Sequence, residues 1–331
     1  MMVRFKRFTG CISLILAILF LLPYQSQSAD KKLRVALVLP GRINDVSWNQ
    51  AAYEGLKQVE KDLGIETAYS ENVSVADVER VLRDYATAGY DLILAHSFNY
   101  GDAVFKVAKD FPNLKFGWAT GFKSAPNVAF YDWPAHEVGY LVGMLAAYMS
   151  KTGKVGALGG FDVPDVVRAL EGFKLGAKAV NPNVRIFTTY IGDWEDAAKA
   201  KEAALAHIEN GADVVYINGD GISYGVIEAA KEKGVYAIGG IADQYSLAPE
   251  TILSSTVLNV GFTIKKMVED VQAGKLKESY LYSLKEGGVD IAPYHALEKG
   301  IPQEVKDKIA KTKQDILEGK FQVPDIIKPT E

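Results

Sequence analysis

The residues with the most chemical promise sit in one short loop. In Val35-Ala-Leu-Val-Leu-Pro-Gly-Arg-Ile-Asn-Asp-Val-Ser-Trp48 an apolar run ends at Pro40-Gly41 and a helical pattern resumes near Ser47, which leaves Asn44, Asp45 and Trp48 between the two. A tryptophan there offers a flat apolar face beside amide and carboxylate groups, a combination suited to a heteroaromatic ring or a sugar. The same ring would serve as a staple holding its helix on a sheet, and both readings stand. The combination recurs along the chain: Ser97, Phe98, Asn99 and Tyr100; Tyr131, Asp132 and Trp133; Phe161, Asp162, Asp165 and Arg168; Asn218, Asp220 and Tyr224; Asp243, Gln244 and Tyr245. Trp133 and Phe161 also suit a core. Arg168 lies early in a helical pattern, where a cation opposes the helix dipole, so it reads as a solvated side chain or as a clamp on a ligand or carboxylate. Asp220 and Asp243 lie near glycine-rich turns and suit capping as well as ligand contact. Asp193, Trp194 and Glu195 follow an apolar run expected near a sheet edge and read as surface.

Such residues need a scaffold that brings the ends of several strands together. From Lys32 onward apolar runs alternate with helical patterns: Arg34–Leu39, then a helix over Asn49–Leu63, Glu66–Tyr69, a helix over Val75–Ala88, Leu92–Ala95, Gly101–Phe111 and Lys115–Ala119. A second series of the same kind runs from Asn127 to Gly239, followed by predicted helices over Val257–Ala273 and Pro302–Glu318. Alternation of this kind predicts an α/β protein with two doubly wound parallel-sheet lobes. In open sheets of this class ligands sit beyond the carboxyl ends of the strands, where each cluster above falls. Only the short Thr120–Asn127 stretch separates the halves, which suits a hinge with a cleft between lobes. The expected division is residues 32–121 plus about 249–280 for lobe 1, and 122–248 plus about 281–331 for lobe 2.

The chain has 331 residues, 48% of them hydrophobic, and a formal net charge of −4. Arg4, Lys6 and Arg7 precede an apolar run from Cys11 to Leu22 and a polar stretch ending in small residues, the pattern of a secretory signal over residues 1–28. Without those three basic residues, 34 Lys and Arg face 41 Asp and Glu, a net of −7. An acidic exported chain with no basic stripe is not expected to bind nucleic acid. Cys11 is the only cysteine and opens the apolar run, where a lipoprotein cysteine would follow it, so a periplasmic protein without a lipid anchor is expected. No Gly-x-Ser-x-Gly elbow or phosphate loop occurs, and His96, His136, His207 and His295 are scattered. No metal, cofactor or enzymatic activity is therefore expected, although a nucleoside hydrolase built on cleft aspartates remains a rival.

Several stretches carry a resemblance: Asn44-Asp-Val-Ser-Trp-Asn49, Ala88-Gly-Tyr-Asp-Leu-Ile-Leu94, Met149-Ser-Lys-Thr-Gly-Lys-Val155, Asn210-Gly-Ala-Asp-Val-Val215 and Gly287-Gly-Val-Asp-Ile-Ala-Pro-Tyr294. The chain resembles the substrate-binding proteins of ABC transporters in the basic membrane protein family, the group containing purine nucleoside receptors. The resemblance implies a type I periplasmic-binding fold, a small-molecule ligand, docking on an inner-membrane permease, and action as a monomer. It also implies that Trp48 stacks on the ligand. Ser97-Phe-Asn-Tyr100 and the stretch from Phe161 to Arg168 resemble a branch with adenine-like ligands, and by analogy with sugar-binding relatives Arg168 faces the cleft. In the nucleoside branch acidic residues and a lysine hold guanine and ribose where this chain has Leu39-Pro40, Ile241 and Leu258. The expected ligand is accordingly an adenine-like base. The expected contacts are Trp48, Asn44, Asp45, Phe98, Asn99, Asp132, Trp133, Phe161, Arg168, Asn218, Asp220 and Asp243.

Overall fold

A computed structural model describes residues 32–330; the expected signal segment lies outside them. The chain begins β1 (Arg34–Val38), α1 (Trp48–Leu63), β2 (Glu66–Ser70), α2 (Val78–Thr87), β3 (Leu92–Ala95), α3 (Gly101–Asp110), β4 (Lys115–Ala119), β5 (Val128–Asp132). It continues α4 (Ala135–Met149), β6 (Lys154–Gly159), α5 (Pro164–Val180), β7 (Arg185–Tyr190), α6 (Ala197–Glu209), β8 (Val214–Asn218), α7 (Ile222–Lys233), β9 (Tyr236–Gly239). It ends β10 (Ile252–Leu258), α8 (Val260–Gln272), β11 (Ser279–Leu281), β12 (Val289–Ile291), α9 (Gln303–Leu317).

Two six-stranded sheets result. The first runs β2-β1-β3-β4-β5-β11, all parallel; the second runs β7-β6-β8-β9-β10-β12, with β12 antiparallel to β10. Both faces of the first sheet are covered, which explains the uninterrupted apolar run of β1. Val35 and Leu37 join the core under α1, with Ala52, Leu56 and Val59. Ala36 and Val38 point the other way, to Val78, Leu82, Val104 and Val107 of α2 and α3. The order 2-1-3-4-5 recurs as 7-6-8-9-10, so each sheet reverses direction beside its first strand. The mouths at those two reversals hold the ligand in folds of this class.

The lobe boundaries differ from expectation. β5 completes the first sheet, so the chain first crosses at 133–134 and not at Thr120–Asn127. Residues 252–258, expected in lobe 1 and partly as helix, form a central strand of lobe 2. The remaining crossings fall at residue 259 and within 282–288. Ser254, Ser255 and Thr256 disguised β10. Their hydroxyls are buried and satisfied: Ser254 donates to the Ala292 carbonyl, Ser255 accepts from Gln244 N, and Thr256 accepts from Ile241 N.

Helices α4 and α5 meet through glycine. Gly139 and Gly143 of α4 lie against the backbone of Ala169 and Phe173, while Gly172 and Gly176 of α5 lie against that of His136 and Tyr140. Each pair is spaced by four, so both glycines share a helix face. A Cβ at Gly176 would collide with the Tyr140 carbonyl oxygen. An alanine replacing glycine inside a helix ordinarily stabilises by about 0.5–1 kcal/mol. Here the sign reverses: Gly176→Ala is expected to cost about 1–3 kcal/mol through overpacking, measured by urea unfolding. A neutral or stabilising outcome would show that the two helices do not need this close approach.

Candidate functional site

The loop from Pro40 to Ser47 is organised by Asp45. Its carboxylate accepts from the backbone N–H groups of Ser47 (2.9 Å), Asn49 (2.8 Å) and Gln50 (2.9 Å), and from the Asn49 amide at 2.7 Å. These bonds satisfy donors that a helix start otherwise leaves unpaired. Trp48, the first residue of α1, is thereby aimed at the edge of the sheet. Its indole N–H donates to the His96 carbonyl at 3.0 Å, one face stacks on the His96 ring at 4.0 Å, and its edge meets Trp133. His96 is fully buried, and desolvation pushes its pKa down to about 3, so its ring is neutral. Tyr131 shares a 2.9 Å hydrogen bond with His96 Nδ1.

Trp48 also lines a narrow slot between the lobes, a cavity of about 40 Å³. Lobe 1 supplies Pro40, Trp48, Ser97, Phe98, Asn99 and Thr120, from the ends of β1, β3 and β4; lobe 2 supplies Val163, Asp165, Val166, Trp194, Asn218, Asp220 and Ile241. Most come from beside the two sheet reversals. A recess lined by Phe161 and Glu195 adjoins the slot and shares Pro40, Trp194 and Asp220 with it.

Of the expected contacts, the slot gathers Trp48, Phe98, Asn99, Asn218 and Asp220, and Phe161 stands in the recess. The others lie elsewhere. Asp45 is spent on capping, and Asn44 is exposed, its carbonyl accepting from the Tyr224 hydroxyl at 3.3 Å. Trp133 is buried core, its indole N–H on Thr263. Arg168 donates to Asp132 at 2.7 Å and lies 3.2 Å from Asp325, tying α5 to the first crossing and to the C-terminal segment rather than facing the slot. Asp243 pairs with His295 at 2.7 Å outside the slot. Turn and crossing geometry claims Asp45, Asp132, Arg168 and Asp243 because each lies where backbone donors or an opposite charge also need a partner.

Trp194 and Asp165 line the slot without being among the expected contacts, although Asp165 falls in the strand-end cluster with Phe161 and Arg168. Trp194, read as surface, crosses over Gly160, where a Cβ would strike the ring; that glycine was the available signal. Asp165 is the second residue of α5, where an anion is favoured by the helix dipole. Its Oδ1 is closed off from solvent with no hydrogen-bond partner. Burial first, then neighbouring Asp132, pushes its carboxyl up to about 7. Burial likewise raises Asp220 well above the carboxylate range, and Asp45, Glu195 and Asp165 act in the same direction. Among the described residues lining the slot there is no lysine, arginine or histidine. An aromatic slot lined by two desolvated carboxyls, one of whose oxygens lacks a partner, can stack a flat ring and accept N–H or O–H donors from its edge.

The family model for the ABC transporter substrate-binding protein PnrA-like matches residues 32–326. The chain belongs to this family. Members are substrate-binding proteins of ABC transporters, not enzymes; they work outside the cytoplasm, bind small molecules and deliver them to a permease. A purine-binding protein of Brucella abortus is 35% identical over 297 residues, covering 88% of this chain and 83% of the relative. The nucleoside-binding protein BmpA of Lactococcus lactis is 32% identical, covering 88% and 89%. The crystal structure of an ABC transporter solute-binding protein from Aeropyrum pernix superposes with a TM-score of 0.81 at 25% identity, over 89% of this chain and 94% of that one. The PnrA-like chain thus has the type I periplasmic-binding fold, two parallel-sheet α/β lobes.

The raised carboxyl of this PnrA-like protein sets a pH dependence. Asp165 is protonated in both folded and unfolded chains below about pH 4, while between there and about 7 the folded chain holds the extra proton. Its contribution to stability is therefore lost as pH rises through about 7. Asp165→Asn, which cannot ionise, should gain in melting temperature relative to wild type as pH is raised from about 5 to about 8. A constant difference between the two proteins across that range would remove Asp165 as the source.

Proposed function

We propose that the protein is the periplasmic receptor of an ABC importer and that its ligand is an amino-substituted purine, adenine rather than guanosine. The observation that carries the reading is the presence in one narrow slot of Trp48 and of Asp165, whose Oδ1 has no hydrogen-bond partner. Adenine offers a flat face to the indole and exocyclic N–H donors to carboxylate oxygens. Asn99 and Asn218 can donate to its ring nitrogens and accept from its N–H groups. Pro40 and Ile241 line the slot at positions where the nucleoside branch carries acidic groups, which supports the loss of guanine and ribose anchors. An unpaired buried polar group costs roughly 1–3 kcal/mol, enough to reject ligands whose polar atoms find no partner. A phosphate would meet carboxyl groups and no cation, so nucleotides are excluded as ligands. The names of the Brucella and Lactococcus relatives support a purine-type ligand, and the N-terminal signal pattern supports the periplasm. Rotation about the three crossings closes the lobes on the ligand, and the permease partner supplies the energy-driven step.

A thermal-shift screen of refolded, ligand-free protein with adenine, adenosine, guanosine, AMP and glucose tests this. A ligand at a hundred times its dissociation constant adds about 2.7 kcal/mol. Adenine should raise the melting temperature and AMP should leave it unchanged. Trp48→Ala should weaken adenine binding by about 1–3 kcal/mol, roughly tenfold to a hundredfold. Stabilisation by glucose with no purine response would leave the receptor standing and sink the purine.

A further inference from the structure

We infer that the loop of residues 44–49 is a latch between the lobes, and that Ser47 is the positioning residue that sets how long a captured ligand is held. The inference rests on ligand capture by lobe closure, and it concerns a residue that does not line the slot. Ser47 is fully buried in lobe 1, yet both partners of its hydroxyl belong to lobe 2: it donates to the Gly219 carbonyl at 2.8 Å, with the Gly240 carbonyl at 3.4 Å. Gly219 follows β8 and Gly240 follows β9, so one hydroxyl reaches two neighbouring strand ends of the facing sheet.

Three further bonds cross at the same loop. The Gln244 amide of lobe 2 donates to the Val46 carbonyl at 3.2 Å, and its own Oε1 is held by Gly240 N. The Tyr224 hydroxyl donates to the Asn44 carbonyl at 3.3 Å. The Asn49 amide lies 3.5 Å from Asp220 Oδ2. The loop is braced to make these contacts. Val46, a β-branched residue, is held at φ +55°, with its N–H on Gln50 and the Asp45 cap beside it. That strained turn points its carbonyl at Gln244.

Ser47 is the member whose loss isolates the latch. It precedes α1 but its side chain caps nothing there. The two carbonyls keep other donors, Ser223 Oγ on Gly219 and Ala242 N on Gly240, so removing the hydroxyl leaves neither orphaned. Gly219 lies between Asn218 and Asp220, both lining the slot, so the bond pins the slot wall of lobe 2 against the loop that carries Trp48. These bonds exist only when the lobes are together, so they slow opening without helping the ligand enter.

Adenine binding to wild type and Ser47→Ala, followed by stopped-flow tryptophan fluorescence, tests the latch, because Trp48 and Trp194 line the slot. Loss of one net hydrogen bond should speed dissociation roughly threefold to tenfold and leave association within about twofold. Circular dichroism and melting of the ligand-free variant check that it folds. An unchanged dissociation rate, or association slowed as much as dissociation is speeded, would overturn the latch. If adenine fails to bind wild type, the purine reading alone is lost. The same rate comparison is then made with whichever compound of the screen stabilises wild type: faster dissociation from Ser47→Ala supports the latch, and an unchanged rate overturns it.

Discussion

The four hydrogen bonds accepted by the Asp45 carboxylate hold the first loop in place, and the cleft depends on that loop. They fix the first turn of α1, and so bring Trp48 flat against His96. They also hold Ser47 and Asn49 where lobe 2 can reach them. A single charged group thus sets both the stacking surface and the bonds between lobes. The arrangement is stable because Asp45 is buried among donors rather than among other carboxylates alone. Backbone N–H groups compensate a buried carboxylate well, since charge-assisted bonds are stronger than neutral ones.

The cleft also concentrates what the rest of the fold avoids. Val46, Thr120 and Ile241 are β-branched residues with φ of +55°, +52° and +72°, and all three lie in or beside the slot. Such conformations cost of order 1–3 kcal/mol each and persist only where surrounding bonds over-determine them. Those bonds are present: Thr120 N donates to the Tyr131 carbonyl, and Ile241 is held between Thr256 and Leu258 N. Asp165 and Asp220 add desolvated carboxyls to the same small region. Strain and desolvation gathered at one mouth are sustained by the glycine-spaced helix contacts and buried strands behind it.

How far the chain could be read from its residues follows from what each signal measures. Apolar runs such as Val35–Leu39 report burial on both faces, so the alternating architecture and its two lobes were legible. β10 was not, because buried hydroxyls at Ser254, Ser255 and Thr256 look polar until their partners are known. The same ambiguity divides the site. Asp45, Asp220 and Asp243 share a residue type and a setting near a turn, yet one caps a helix, one lines the slot and one pairs with a histidine. Arg168 was legible as a clamp, but the carboxylates it grips, Asp132 and Asp325, are remote in sequence. Trp194 was hidden because the space it enters is made by the missing side chain of Gly160 on another strand end.

The two sheets repeat one strand order but contribute unlike chemistry to the slot. Lobe 1 brings the stacking surface, Trp48 and Phe98, with the amide of Asn99; lobe 2 brings the carboxyls of Asp165 and Asp220, the amide of Asn218 and a second indole from Trp194. Each mouth offers an aromatic face and an amide, while the carboxyls come from lobe 2 alone. A ring resting on Trp48 with the lobes apart would leave its N–H groups to water and gain little specificity from the protein. On the proposed purine reading, discrimination arises at closure, when Asp165 and Asp220 meet the ring edge and water is excluded. A ligand shifts a conformational equilibrium only by its differential affinity for the two states. On that purine reading, carboxyls that stand on lobe 2 across from Trp48 enlarge that difference, and couple recognition of the ring edge to the closed shape that a permease reads.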